Sequence, residues 1–242
     1  MAFIEHTQPK STIKTYKHLF FDLDRTLWDF EKNANVALTE IHSRFSKVGY
    51  IGDYERFSIV YHYVNEGLWD KYRRGVISKE QLIEDRFHLT FNEFGFNNKK
   101  VALEAGEMYL DLSPRQTGMF PDALEVVEAL SKKYKIHILT NGFKEVQTIK
   151  LKNCGLEPFI SQLITSEDAG CQKPDERIFQ YAVKQVGASP DEVLMIGDDL
   201  IADIAGAQNA GIDYVWFNPD DRDSKIDRSR QIKFLNELLS RL

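Results

Sequence analysis

The chain has 242 residues, 43% hydrophobic and 28% charged, an ordinary globular balance that excludes a fibrous or disordered polymer. Its formal net charge of −6 argues against a nucleic-acid polymer as partner, since that footprint is a basic surface. No run approaches the roughly 18 consecutive apolar residues of a membrane span; the N-terminus lacks a charged-then-apolar signal pattern; and Cys154 and Cys171 have no metal-site spacing. A cytoplasmic protein with reduced thiols is expected.

Residues 1–17 are polar and without clear period, and read as a tail. Leu19 to Phe21 is a buried-strand run that ends abruptly in Asp22-Leu23-Asp24-Arg25-Thr26. After Trp28-Asp29-Phe30 the period becomes helical, with Ala34, Ala37, Leu38, Ile41, Phe45 and Val48 at three- and four-residue steps. A second helix is expected from Tyr54 to Arg74, carrying Phe57, Tyr61, Val64, Leu68 and Tyr72 on one stripe and stopped by Gly75. Ser78 with Gln81 forms a capping box for a third, which Gly95 closes. A fourth runs from Asn98 to Leu112 with Val101, Ala105, Met108 and Leu112 apolar. Four helices with no strand between them read as a helical module over residues 31–113, inserted into a discontinuous core of residues 18–30 and 114–242.

From Phe120 onward helices and strands alternate. Asp122 to Tyr134 is helical, and Ile136 to Leu139 is a strand ending at Thr140-Asn141-Gly142. Another helix leads to Gly155, and Gln162 to Thr165 is a strand. Glu176 to Val186 is a helix, and Val193 to Ile196 a strand ending at Gly197-Asp198-Asp199. A helix ending near Gly211 and a strand from Tyr214 to Phe217 follow, and Gln231 to Leu242 reads as a terminal helix. Alternation of this kind predicts an α/β fold with a parallel sheet and right-handed crossovers.

In such a sheet ligands bind beyond the carboxyl ends of the strands, and every polar cluster here stands at one: Asp22 with Asp24, Thr140 with Asn141, Asp198 with Asp199. Asp203 lies about a turn further on, and Lys173 with Pro174 precedes a helix. Asp22 and Asp24 repel one another, which raises their pKa values unless a cation intervenes. A hard divalent ion such as Mg²⁺ suits oxygen ligands and a phosphorylated substrate. Phosphoryl transfer then suggests the roles. Asp22 is the candidate nucleophile, forming an aspartyl-phosphate. Asp24 is the candidate acid and base, Thr140 and nearby backbone N–H groups hold phosphate oxygens, and Lys173 is a fixed cation on phosphate and nucleophile. Asp198, Asp22 and the backbone carbonyl of Asp24 are the candidate metal ligands. Asp203 orients them, and Asp199 is either a ligand or part of the surrounding shell.

Together, Asp22-x-Asp24-x-Thr26, Thr140-Asn141-Gly142, Lys173-Pro174 and Gly197-Asp198-(four residues)-Asp203 resemble the four motifs of the haloacid dehalogenase superfamily, in order across residues 19–203. The resemblance implies a Rossmann-like core, Mg²⁺ as cofactor, phosphate contacts at Thr140, Asn141 and Lys173, and a four-helix cap that closes over the active site. Asp24 makes the chain similar to the phosphatases of that superfamily, because the dehalogenase branch lacks an acid there. The run from Asp22 to Asn33, with Asn65-Glu66-Gly67-Leu68-Trp69, resembles the bacterial pyrimidine 5′-nucleotidase subfamily. Arg25 departs from the glycine or histidine often found at its position, and its side chain is expected to point away from the metal.

The module is rich in aromatics: Tyr50, Tyr54, Phe57, Tyr61, Tyr63, Trp69 and Tyr72. At helical spacing most read as core, with Trp28 and Trp69 the candidates for contact with substrate. Lys71, Arg73 and Arg74 read as a solvated face, His62 and His88 as bystanders, and Cys171 as passive. The expected function is a Mg²⁺-dependent phosphomonoesterase acting on a small phosphorylated metabolite, with nucleoside 5′-monophosphates the preferred class. A sugar-phosphate phosphatase or a phosphomutase is the nearest alternative. A receiver-like signalling module is the alternative of another class, although receivers need about half this length and carry no cap. No nucleic-acid polymer and no membrane is called for, and no feature sets an oligomeric state.

Overall fold

The structure, a computed structural model, describes residues 15–49 and 51–242. Residues 1–14 of the expected tail, and Tyr50 among the module's aromatics, lie outside the described residues. In chain order the elements are β1 (His18–Phe21), α1 (Phe30–Phe45), α2 (Tyr54–Arg73), α3 (Lys79–Asn92), α4 (Lys99–Leu112), α5 (Ala123–Ser131), β2 (Lys135–Thr140) and α6 (Lys144–Asn153). They continue with β3 (Ile160–Thr165), α7 (Ser166–Ala169), α8 (Glu176–Val186), β4 (Val193–Gly197) and a π-helical turn, Leu200–Ala205, that runs into α9 (Gly206–Asn209). β5 (Asp213–Phe217), β6 (Gln231–Ile232) and α10 (Leu238–Arg241) complete the chain.

The six strands form one parallel sheet in the order β3-β2-β1-β4-β5-β6. β1 sits inside it, with Phe21 in register with Ile138 of β2 and Ile196 of β4. Chain order runs outward from β1 in both directions, so the β1–β4 boundary is a switch point, where crossovers part and leave a crevice at the carboxyl ends. Successive residues of β1 face opposite layers. Leu19 and Phe21 pack with Val126, Val127 and Leu130 of α5, while Phe20 packs with Ile178 and Phe179 of α8. Each fully buried side chain of this size contributes about 1.5–3 kcal/mol relative to exposure. Helix α9 lies so close to α8 that a Cβ on Gly206 would meet the Phe179 ring at 2.5 Å.

Helices α1 to α4 pack into a core of their own, built on Leu38, Ile41, Phe45, Phe57, Tyr61, Phe87, Phe91 and Ala105. All four start on a side-chain cap: Asp29 accepts from the N–H of Lys32, Asp53 from Arg56, Ser78 from Gln81 and Asn98 from Val101. The architecture is therefore the expected α/β sheet carrying a four-helix module.

Three expectations on local structure need correcting. Helix α1 ends at Phe45, so Val48 lies beyond it and is 59% exposed. The fully buried face of α4 is Ala102, Ala105, Gly106 and Tyr109, with Val101, Met108 and Leu112 half-buried against the same core. Small residues let α4 approach α3, where a Cβ on Gly106 would stand 3.4 Å from the Ile83 carbonyl oxygen. Finally, Gln231–Leu242 is not one helix. Gln231 and Ile232 extend the sheet beside Trp216 and Phe217, the Glu237 carboxylate caps the N–H groups of Lys233 and Phe234, and only the last turn is α-helical. No helix among the described residues is long and apolar enough to cross a membrane.

Candidate active site

A cleft of about 850 Å³ opens between the carboxyl ends of the strands and helix α2, and Asp22, Asp24, Thr140, Asn141, Lys173, Asp198, Asp199 and Asp203 all line it. β1 delivers Asp22 directly, its N–H donating to the Ile196 carbonyl at 2.9 Å. The chain then turns sharply. Arg25 takes φ 64°, its N–H donates to Trp28 O, and the N–H groups of Leu27 and Trp28 both donate to Leu23 O. This turn sends the two carboxylates of the first motif different ways, contrary to simple alternation along a strand.

Asp22 is held by Lys173. The buried ammonium donates to Asp22 Oδ1 at 2.7 Å, to Asp203 Oδ1 at 2.6 Å and to the Leu139 carbonyl at 2.8 Å, so all three of its protons are spent. The loop that presents Lys173 is fastened at both backbone groups: its N–H donates to Asn141 Oδ1 at 2.8 Å, and its carbonyl accepts from Asn141 Nδ2 at 2.9 Å. Asn141 therefore acts as a clasp between two strand ends. The Thr140 hydroxyl accepts from the Gly142 N–H at 3.0 Å. Thr26 donates to Asp198 Oδ1 at 3.2 Å, and the Asp198 carbonyl is fixed by Trp216 Nε1 and an Arg222 Nη2, each at 2.9 Å. Asp199 caps the π-helical turn by accepting from the N–H groups of Ile201 and Ala202, and donates its own N–H to Asp203 Oδ2 at 3.1 Å. Gly197 is required at the end of β4, where a Cβ would sit 2.3 Å from Asp203 Oδ2.

The charges do not balance. Asp22 and Asp203 share the one buried ammonium of Lys173, and the pull of Arg25 and Lys173 on Asp198 does not offset its burial beside Asp203 and Asp199. Burial pushes the Asp22 carboxyl well above the usual range against the pull of Lys173, and raises Asp203 likewise. Asp198 is pushed up to about 7 by burial and then by Asp203 and Asp199. Burial alone would lower the Lys173 pKa, but Asp203 and Asp22 outweigh it and raise it. Carboxylate oxygens of Asp22, Asp198 and Asp203 lie within 4.8 Å of one another. An oxygen-only donor set with surplus negative charge fits a hard divalent cation such as Mg²⁺.

Asp24 stands at the edge of the same cleft, with its carboxylate bonded to α6. Its Oδ1 accepts from Lys150 Nζ and its Oδ2 from Gln147 Nε2 at 2.7 Å. Lys150 is buried, with its ammonium 3.9 Å from the centre of the Trp28 ring. Neither Lys150 nor Gln147 stands out in the sequence, although the two share a helix face one turn after the Thr140-Asn141-Gly142 strand end. Trp28 was a candidate for substrate contact and is corrected: it is fully buried, donates to the Gln116 carbonyl at 3.1 Å, and lies beneath Lys150 rather than in the cleft. Trp69 does line the cleft, and its ring stacks on Phe143 with centroids 5.3 Å apart.

The helical module supplies the far wall. Phe57 and Tyr61 belong to its core, whereas Tyr63 is 80% exposed at the cleft rim. Lys71 and Arg73 also reach the cleft, while Arg74 pairs with Asp70 at 2.8 Å. Arg25 turns toward the module, bonding Glu31 at 2.6 Å and approaching Glu66 of α2 to 3.6 Å. His62 lies 3.5 Å from Glu31, and His88 bonds Asn92 at 3.3 Å. Cys154 and Cys171 are free thiols.

Comparison with known proteins bears on the family and the fold. A family model described as haloacid dehalogenase-like hydrolase matches residues 16–211. The pyrimidine 5′-nucleotidase PynA of Streptococcus pneumoniae is 35% identical over 206 residues, 84% of each chain. The pyrimidine 5′-nucleotidase YjjG of Escherichia coli is 32% identical over 207 residues, 85% of this chain and 87% of that one. Among solved structures, the magnesium-bound putative HAD-hydrolase YfnB of Bacillus subtilis superposes with a TM-score of 0.84 at 29% identity, covering 94% of this chain and 98% of that one.

Proposed function

We propose, since the chain belongs to the haloacid dehalogenase-like hydrolase family, that it is a Mg²⁺-dependent phosphatase of pyrimidine nucleoside 5′-monophosphates, working through an aspartyl-phosphate in the cytoplasm. Phosphatase activity accords with its two nucleotidase relatives, and the choice of pyrimidine nucleotides rests on their substrates. The observation that carries the mechanism is the meeting of Asp22, Lys173, Asp198 and Asp203, drawn from three separate stretches of chain, at one end of one sheet.

Asp22, Asp198 and the backbone carbonyl of Asp24 would hold Mg²⁺, with Asp203 and Asp199 orienting them. When bound, the ion draws in phosphate oxygens and offsets their charge. The Asp22 oxygen attacks phosphorus as the bond to the nucleoside 5′ oxygen breaks, and Asp24 gives its proton to the departing alcohol. Water then attacks phosphorus, Asp24 takes its proton, and Asp22 leaves as a carboxylate. The Thr140 hydroxyl and the backbone around Asn141 hold phosphate oxygens, and Lys173 supplies a cation pre-set by its three bonds. Residues 31–113 act as the cap over this chemistry, excluding water and choosing the leaving group.

The test is release of inorganic phosphate from uridine, cytidine and adenosine 5′-monophosphates, ribose 5-phosphate and glyceraldehyde 3-phosphate. The pyrimidine nucleotides should lead the sugar phosphates by at least about 10-fold in kcat/KM, with activity lost to a chelator and restored by Mg²⁺. A sugar phosphate in the lead, or an isomerised ester without free phosphate, would overturn the reading.

A further inference from the structure

Beside Asp24, on the side away from Asp22, lies a second and smaller cavity of about 60 Å³. It adjoins the main cleft, for Asp24, Asn65 and Trp69 line both. Its walls combine aromatic faces with buried polar atoms that have no partner. Asn65 Oδ1, Arg86 Nε and Gln147 Oε1 make no hydrogen bond, and all three residues are at least nine-tenths buried. Arg86 is the most unusual of them. It is 5% exposed, its guanidinium lies 5.1 Å from the centre of the Tyr109 ring and also engages the Tyr61 hydroxyl, and it pairs with no carboxylate among the described residues. A buried cation without an anion is costly, and buried polar groups are normally bonded.

We propose that this cavity is the leaving-group subsite, in which Asn65 and Arg86 read the hydrogen-bonding edge of a single-ring nitrogenous base. The inference rests on the nucleotidase reading above and adds which residues choose the base. Its first support is position: the group that protonates the leaving oxygen must touch the leaving group, and Asp24 forms part of the cavity's wall. Its second is chemistry. A pyrimidine edge alternates carbonyl acceptors with an N–H or ring-nitrogen site, and the cavity offers a guanidinium donor beside an amide that can present either an acceptor or donors. Tyr109, Trp69 and Phe143 supply the apolar faces on which a flat ring rests. Size limits what enters: at about 60 Å³ the space is less than half the ~150 Å³ cavity that takes a benzene ring, so it receives the hydrogen-bonding edge of the base while the rest of the ring stays in the main cleft.

The experiment measures kcat/KM for uridine 5′-monophosphate and for ribose 5-phosphate in the wild type, Arg86→Met and Asn65→Leu. Ribose 5-phosphate shares the ester but has no base. In the wild type the ratio should favour the nucleotide, and in each variant it should fall roughly 10- to 100-fold, the range for leaving buried polar groups unpaired. Arg74→Met, on the exposed pair with Asp70, should leave the ratio where it was. Two variants guard against loss of fold, and removing an unpaired buried charge is compatible with stability. A wild-type preference for the nucleotide that survives in both variants would overturn the subsite and leave the nucleotidase reading standing. A wild type that favours ribose 5-phosphate would overturn both.

Discussion

The strand-end site and the four-helix module are built on different principles. At the strand ends position is set by charge and backbone: Lys173 spends all its protons on Asp22, Asp203 and Leu139, and Asn141 clasps its loop from both sides. In the module position is set by apolar packing, with Phe45, Phe57, Tyr61, Phe87 and Phe91 in one cluster. The two meet through a separate apolar cluster, in which Leu68 and Leu82 of the module pack with Phe143. Trp69 and Tyr72 pack on Phe143, and Lys79 bridges to Glu145 and Glu167. On the reading proposed above, the charged floor does the chemistry and the separately packed module acts as a lid that chooses the leaving group. Substitutions in the floor should therefore cost rate, with stability lost as well where a buried charge is left without its partner, and substitutions in the lid should cost selectivity.

Asp22→Asn carries the largest expected effect, a loss of turnover of more than about 10⁴-fold, as when a nucleophile is removed elsewhere. Its melting temperature should hold or rise, because a buried carboxylate in surplus negative charge is being neutralised. Turnover within 100-fold of wild type would break the contrast at its root. Lys173→Met leaves Asp22 and Asp203 buried without their cation. It should lose about 3–5 kcal/mol in denaturant unfolding along with activity. Gly197→Ala presses a methyl group on the Asp203 carboxylate and should cost about 1–3 kcal/mol, read from the same unfolding curves. Trp69→Ala tests the lid. Loss of its stacking should raise KM by up to about 10-fold, from ~0.5–1.5 kcal/mol, with kcat little changed. A matching fall in kcat would mean that the lid shapes the chemistry as well.

The same division explains what could be read from the residues alone. Asp22, Thr140 and Asp198 each stand where an apolar strand run stops, and a parallel sheet brings such stops to one edge. The central elements were legible for this reason, as was α8 to the residue. Asp24 was legible as a carboxylate beside the site, but not its direction, because the Arg25 turn breaks the alternation of a strand. Lys150 and Gln147 were invisible: a lysine and a glutamine on a helix look solvated until tertiary packing buries them. The module showed its helices but not its inner wall. Period 3.6 marks an apolar face, yet Asn65 and Arg86 are buried polar residues and Trp28 is a buried aromatic with no chemistry, and spacing cannot sort these. The terminal segment misled for a related reason, since four apolar residues at helical steps also fit a short strand followed by one turn.

The direct test of the central claim is to trap the covalent intermediate. Asp24→Asn enzyme with Mg²⁺ and uridine 5′-monophosphate should be quenched in acid within one turnover, digested, and mapped by mass spectrometry for a phosphoryl adduct. The account predicts the adduct on the peptide that contains Asp22, absent in the Asp22→Asn, Asp24→Asn double variant. An adduct on any other residue, or phosphate released in a burst with none on the protein, would contradict it.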